Sequence, residues 1–492
     1  MKFWQVVSSA WLALSLHAAD PTKATENKAS TTLLAVEGTV EVLLPGTAAW
    51  KSAGPNQVLH QGERLRTGRN SRATLHLSDS SVLRVGELTT VVIEKPGTQN
   101  AKSLLDIKSG SVYFFSREKP EDIQFRTPVV AGAIRGTEFT VDADETGKTE
   151  IALLDGEIEV KNEFGQLTLR SGEQANAESG KAPAKTALIS AANAIQWTLY
   201  YPAVLHLDEL DLPASEQGLL AASLDAYRNG DLLQALKSVP ENPGRLSDLS
   251  ESANLFLAEL HLSVGRVEEA EALLATLPLS PLGRALREMI AAVKFEKRDG
   301  PQAVSLASQM LARSYYEQSR SRLREALAAA ASATRKAPAF GLAWVRMAEL
   351  EFSFGRTAAA LAALDRAQQL SPRNPQAFAL RGFILLAENK HAEARSLFDQ
   401  AISIDGALGN AWLGRGISRM RLGQRAEGRR DLQVASTLES QRSLFRSYLA
   451  KAWIEEANDE LAVKELRLAK KLDPNDPTPW LYSALFNQQR NR

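Results

Sequence analysis

The sequence predicts a multidomain β + α protein: an N-terminal all-β domain followed by an α-solenoid. Three observations predict it. Short apolar–polar alternations, broken by glycine turns at about ten-residue spacing, fill residues 33–178. Aromatic and small residues recur every 34 positions from Trp344 to the end. Between these regions, the polar break Ser179–Pro183 carries both Gly and Pro and marks a boundary.

Met1-Lys2, an apolar run from Phe3 to Leu16 and the small residues Ala18-Ala19 describe a signal peptide over residues 1–19. Cleavage is expected after Ala18 or Ala19. The run, at about 14 residues, is too short to anchor in a ~30 Å hydrocarbon core. No later run is longer, so the exported chain is expected not to span a membrane. Residues 20–31 are polar and lack apolar periodicity.

In the β-domain, Pro45-Gly46, Thr67-Gly68, Pro96-Gly97, Ser109-Gly110, Thr146-Gly147, Asp155-Gly156 and Phe164-Gly165 punctuate the strands. Ile151–Leu154 and Glu157–Val160 flank Asp155-Gly156, a strong tight-hairpin signal. Spacing alone leaves a sandwich and a short solenoid equally open. The central stretch is Thr127-Pro-Val-Val-Ala-Gly-Ala-Ile-Arg-Gly-Thr-Glu-Phe-Thr-Val141. Pro128 pushes Thr127 out of the helical region and predicts an extended start. Ile134, Phe139 and Val141 read as a half-buried strand, and Gly136 as a bulge or a left-handed residue within it.

This stretch resembles the hallmark of the FecR family of extracytoplasmic sensor domains, carried by Thr127, Pro128, Ile134, Arg135, Gly136, Thr137 and Phe139. Gly38–Val42 with Trp50, Gln61–Gly68, Ser71–Leu75, Asp79–Val85 and Leu105–Tyr113 fit the same family in order. The resemblance covers about residues 33–176. It implies a domain that receives a signal from a protein partner, in the best-known cases an outer-membrane transporter. Such regulators also carry a transmembrane helix and an anti-sigma segment, which this sequence does not show.

Residues 179–213 read as a linker and docking segment, with Ile195, Trp197, Leu199, Tyr200 and Tyr201 as its packing residues. Residues 214–340 read as irregular, degenerate helical repeats. In 341–492 the frame is regular: Trp344, Phe378, Trp412, Arg446 and Trp480 are 34 residues apart. Ala348, Gly382, Gly416, Ala450 and Ala484 follow them four residues on. This resembles the tetratricopeptide repeat, in which small residues let paired helices approach and stacked pairs bury a continuous core. The last repeat stops after one helix, leaving Leu481, Leu485 and Phe486 as an uncovered face that a continuing chain, another protein or a second copy is expected to cover.

The chain has 58 basic and 58 acidic residues, so no global field recruits nucleic acid. With no cysteine, disulfides and thiolate chemistry are excluded. The histidines lack metal-ligand spacing, and no nucleophile elbow or phosphate loop is found. Asp142–Gly147 starts like a calcium loop, but Leu153 stands where the bidentate Glu is needed. No cofactor, metal or catalytic constellation is expected. Arg415, Arg419, Arg421, Arg425, Arg429 and Arg430 form either a solvated face or a carboxylate site. Asn410, Arg421 and Lys451 are the expected partner-binding groove.

The expected function is an exported, periplasmic, non-enzymatic scaffold or adaptor that binds protein partners. The alternatives are a component of an outer-membrane or envelope assembly system, and a FecR-like regulator.

Overall fold

The computed structural model describes residues 31–78, 81–94, 103–117, 123–144, 146–187, 200–240, 249–297 and 304–490. The signal peptide, Pro96-Gly97, and Ile195, Trp197 and Leu199 of the docking segment lie outside the described residues. The chain divides into two compact units that do not follow chain order. One takes Leu199–Leu422, and the other joins Ala24–Thr198 to Gly423–Arg492.

Among the described residues, the second unit holds fifteen strands in one connected sheet. They are β1 (Thr31–Glu37), β2 (Val40–Leu43), β3 (Lys51–Ser52), β4 (Val58–Leu59), β5 (Arg64–Thr67), β6 (Arg72–Ser78), β7 (Ser81–Val85) and β8 (Thr90–Glu94). Then come β9 (Ser103–Ser116), β10 (Ile123–Arg126), β11 (Ala131–Ala143), β12 (Lys148–Asn162), β13 (Gly165–Arg170), β14 (Glu173–Glu178) and β15 (Ala184–Ala187). The main path runs β15-β14-β12-β11-β10-β9-β7-β6-β1-β4, and β8 joins β2, β3 and β5 to β9.

Alternation makes the core. In β1 every second residue is buried, and Leu33, Leu75, Leu83, Phe114, Phe139, Val141 and Ile151 meet in one apolar cluster. β9 spans both parts of the sheet, pairing with β8 before Gly110 and with β7 and β11 beyond it. Ser109-Gly110 is therefore no turn. Gly110 has φ +87° and lies so near Thr89 that a Cβ would stand 2.5 Å from its Cα.

Two further expectations change. Asp155-Gly156 does not turn the chain, because β12 continues through it with Gly156 at φ +108°. The β11–β12 turn lies earlier, where Asp144 Oδ1 accepts from the Thr146 and Lys148 amides. Ser179–Pro183 is the turn between β14 and β15, so the sheet continues past residue 178.

The helices start with α1 (Ala214–Leu219), α2 (Ala221–Arg228), α3 (Leu232–Lys237), α4 (Glu251–Ser263), α5 (Val267–Thr276) and α6 (Pro281–Val293). Next come α7 (Ala307–Ser319), α8 (Leu323–Lys336), α9 (Gly341–Ser353), α10 (Thr357–Leu370), α11 (Pro375–Ala387), α12 (His391–Ile404) and α13 (Gly409–Arg421). In the sheet unit lie α14 (Arg425–Leu438), α15 (Ser443–Glu455), α16 (Asp459–Leu472) and α17 (Pro477–Gln489).

From α7 on, first helices begin at Ala307, Gly341, Pro375, Gly409, Ser443 and Pro477, which are 34 residues apart. Each pair turns through a left-handed residue: Ser321, Gly355, Asn389, Gly423 or Ala457. Small residues work as the repeat requires. A Cβ on Gly382 or Gly414 would stand 2.8 or 2.1 Å from the Phe398 ring. Trp412 is buried and donates from Nε1 to Gly406 O at 2.9 Å. The degenerate repeats do more than contact their neighbours. The α2–α3 turn packs on the start of α11, where Arg373 reaches Asp231 at 2.8 Å and Ser371 Oγ donates to Arg228 O at 2.8 Å.

In α17, Leu481 and Leu485 are exposed as expected and Trp480 is exposed too, whereas Phe486, expected on that face, is buried with Tyr482. Phe486 sits on the inward side of the helix, one position beyond the exposed stripe. No described helix is long and apolar enough to cross a membrane.

Candidate functional site: an ion cluster at the hallmark strand

The hallmark begins as a turn. Thr127 donates its amide to Val130 O at 2.8 Å, its hydroxyl accepts from the Val130 amide, and Pro128 lies exposed at the turn's second position. The extended approach expected at Thr127-Pro128 is thus the tight β10–β11 connection, with Thr127 buried against the Thr149 hydroxyl at 3.0 Å. Ile134 and Phe139 are both core residues. They are five positions apart, and strict alternation would put them on opposite faces. The pairing slips between Arg135 and Glu138 and again between Glu138 and Phe139, so β11 and β12 change phase together. The side chains of Arg135, Gly136 and Thr137 lie outside the described residues.

The phase change turns Phe139 inward, where its ring lies 5.2 Å from those of Phe114 and Phe125. Glu138 faces the other way. There it meets Arg446 of α15, which binds it with two parallel bonds, Nη2–Oε2 at 2.7 Å and Nη1–Oε1 at 2.8 Å. Arg117, just past β9, also donates to Glu138, and through Nε to Glu465 of α16. Arg446 Nη1 reaches Glu465 Oε2 at 3.1 Å. The result is a closed ring of two guanidinium and two carboxylate groups, each charge touching two of opposite sign. All four side chains are buried.

Arg446 fills the position that holds Trp in other repeats, and it keeps part of Trp's role. Its Nε donates to Ser440 O, six residues back, as Nε1 of Trp344, Trp412 and Trp480 donates to Pro338, Gly406 and Pro474. What an indole lacks is the second edge of the guanidinium, and that edge takes Glu138.

Burial alone would raise the Glu138 carboxyl, but the Arg446 and Arg117 charges outweigh it and hold it down at about 2. Burial works against the charge on Arg117, but Glu465 and Glu138 hold its proton above the ordinary range. Arg446 is held up in the same way by Glu138 and Glu465. Tyr113, buried beside Glu138, is pushed well above its usual value, first by burial and then by that carboxylate. At neutral pH Glu138, Arg117 and Arg446 are therefore charged. The ring clamps surfaces together, and none of these three groups is poised to move a proton. At its edge, Lys464 pairs with Asp155 at 3.2 Å.

The expected groove residues are divided between the two units. Asn410 and Arg421 lie at opposite ends of α13, about 16 Å apart at 1.5 Å per residue. Lys451 lies in the other unit, pairing with Glu455 at 3.4 Å and facing the Tyr482 ring. Nor are the arginines one solvated face. Arg415 lies over Trp412 and pairs with Asp399 at 2.9 Å, while Arg429 is buried over Trp453 and bonded to Glu456 at 2.7 Å. Arg425 is exposed. Among the described residues no group of His, Cys, Asp and Glu is placed to hold a metal. Sequence reasoning missed Arg117, Glu138 and Glu465. The signal was Arg446, an arginine in an aromatic position of an otherwise regular frame.

The description "FecR protein" matches residues 63–159, and "Tetratricopeptide repeat" matches 310–375 and 346–408. The first span holds Arg117 and Glu138. The second stops short of Arg446 and Glu465. Among solved structures, a thermophilic TPR protein of Thermus thermophilus is 19% identical with TM-score 0.33, over 36% of this chain and 97% of that one. A putative anti-sigma factor from Parabacteroides distasonis is 19% identical with TM-score 0.25, over 29% and 68%. MamA from Desulfovibrio magneticus is 17% identical with TM-score 0.27, over 35% and 96%. No curated protein matches the chain.

Proposed function

We propose, for a chain that combines a FecR-type domain with tetratricopeptide repeats, the role of an exported, non-enzymatic scaffold that binds protein partners in the periplasm. Both families are protein-interaction domains. The observation that carries the reading is the Glu138–Arg446 pair. The outer side of the hallmark strand is built to bind a protein surface, and here it already holds one. A buried ring of matched charges fixes register and partner rather than turning over a substrate. The apolar start of the sequence supports export. A fusion of residues 1–30 to a reporter active only outside the cytoplasm tests localisation, and N-terminal sequencing of the full chain tests cleavage. An unprocessed, cytoplasmic chain overturns the exported role. Specific cross-linking of the full chain to one envelope protein supports the scaffold.

A further inference from the structure

Residues 200–212 of the helical unit form no strand and only one short turn, at Leu207–Glu209. They are nevertheless among the best-buried parts of the unit. Val204 and Leu205 are fully buried, and Leu207, Leu210 and Leu212 join the same apolar cluster as Phe256, Leu311 and Leu342.

What holds this segment is side chains reading its backbone. The Glu259 carboxylate on α4 accepts from the amides of Val204 and Leu205. The Tyr227 hydroxyl on α2 donates to Leu205 O at 2.8 Å, and Ser308 Oγ on α7 accepts from the His206 amide at 2.8 Å. The Tyr201 amide donates to Ser263 O at 3.2 Å. Three helices from different repeats thus supply the partners that a strand neighbour would otherwise give.

The segment also repays one helix. Position Leu306, before α7, has no polar side chain to cap it. Glu209 does so from a distance, accepting from the Ala307 amide at 2.6 Å, the Ser308 amide at 3.1 Å and the Ser308 hydroxyl at 2.6 Å. The outward positions Asp208, Asp211 and Pro213 are exposed. An extended chain, apolar on one side, polar on the other and read through its backbone, is bound here as a peptide ligand is bound.

We propose that residues 203–212 are an internal ligand of the helical unit: a strap that fills its peptide-binding surface and must leave before a partner can use it. The partner segment is extended, carries apolar residues in the places of Val204, Leu205 and Leu207, and has a carboxylate in the place of Glu209. The idea rests on the interaction reading for the existence of such a partner. The strap itself is tested without one.

Hydrogen exchange on the full chain comes first. Amides of Val204, Leu205 and His206 are expected to exchange at least about tenfold faster than those in the middle of α4, through opening of the strap alone. Exchange of both only together, by unfolding of the unit, overturns the strap. Next, a fluorescent peptide with the sequence of residues 200–213 is titrated onto the wild-type chain and onto Leu205→Asp/Glu209→Lys. The variant is expected to keep its helical circular dichroism and bind the peptide at least about tenfold more tightly than wild type. Adding Ser308→Ala and Glu259→Gln is expected to abolish that binding. A folded variant that ignores the peptide overturns the proposal. So does loss of helical signal in the variant, because the segment is then simply core. None of these outcomes bears on export or on the Glu138 ring, so failure here is distinguishable from failure of the scaffold reading.

Discussion

Arg446 holds the carbonyl of Ser440 at 2.9 Å through Nε, and Trp412, one repeat earlier, holds Gly406 at the same distance through Nε1. One backbone contact is thus kept across two chemically unlike side chains within the same chain. The exchange frees a charged edge in that repeat, and the edge carries the bidentate bond to Glu138.

Removing one member of the ring strands the others in a buried place. Arg446→Met or Glu138→Gln is expected to destabilise the sheet unit by about 3–5 kcal/mol. The double variant is expected to lose clearly less than the sum, because the same interaction is removed twice. Denaturant unfolding of the four proteins measures the coupling, and strict additivity would refute the ring.

The two units are expected to respond to pH in opposite directions. Glu138 is held at about 2, below its ordinary 4.5, so its stabilisation is present above about 4.5 and lost as pH falls towards 2. Glu259 is pushed up to about 7 by burial, against the Val204, Leu205 and Tyr227 hydrogen bonds. Its folded form keeps the proton, so its stabilisation is full below about 4.5 and lost as pH rises through 7. Each effect is on the order of 3 kcal/mol. Exchange rates read separately in α4 and in β11 at pH 3, 5 and 8 check the signs, and Glu259→Gln is expected to flatten the loss at the alkaline end.

Ala457 occupies the left-handed turn position, φ +57°, that Gly355 and Gly423 fill in other repeats. Ala457→Gly is expected to stabilise the sheet unit by about 0.5–1 kcal/mol, since relief of the Cβ clash exceeds the added chain entropy. A lowered melting temperature would show that the alanine methyl packs.

Gly132 has ordinary φ but no room. A Cβ there would lie 2.0 Å from the ring of Phe125, which is itself buried. Gly132→Ala is expected to cost about 1–3 kcal/mol by overpacking, and Phe125→Leu in the same chain to recover part of it. Thermal unfolding of the single and double variants decides.

Trp412→Ala is expected to destabilise the helical unit by about 3–5 kcal/mol, through the cavity and the lost bond to Gly406. Hydrogen exchange in α12 and α13 reads the effect locally.

The repeats were legible because one unit is copied. Small residues such as Ala360 and Ala394 recur where helices cross, and period survives local irregularity. The strands were legible from alternation. Their connections were less so, because a glycine with positive φ serves a turn, a bulge or a close approach with the same letters. Gly110 and Gly156 look like turns and are not, and only the partner strand decides. The ion ring was not legible as a site, since Arg117 and Glu465 meet across 348 positions and no local pattern links them. Phe139 and Glu138 illustrate the limit: Phe139 turns inward only because the strand changes phase after Arg135, and what the outward Glu138 meets depends on what covers it.

The sheet unit takes its material from both sides of a 224-residue stretch, Leu199–Leu422. A ribosome releases the strands long before α15 and α16. Until then Arg117 and Glu138 have each other but neither Arg446 nor Glu465, and the closing loop is too long for local encounter to be fast. The strands must therefore wait in an unfinished state, with half of the ring and the outer side of β11 open. During that interval the nascent domain is the form most exposed to holding factors and proteases, and the arrival of α15 ends it.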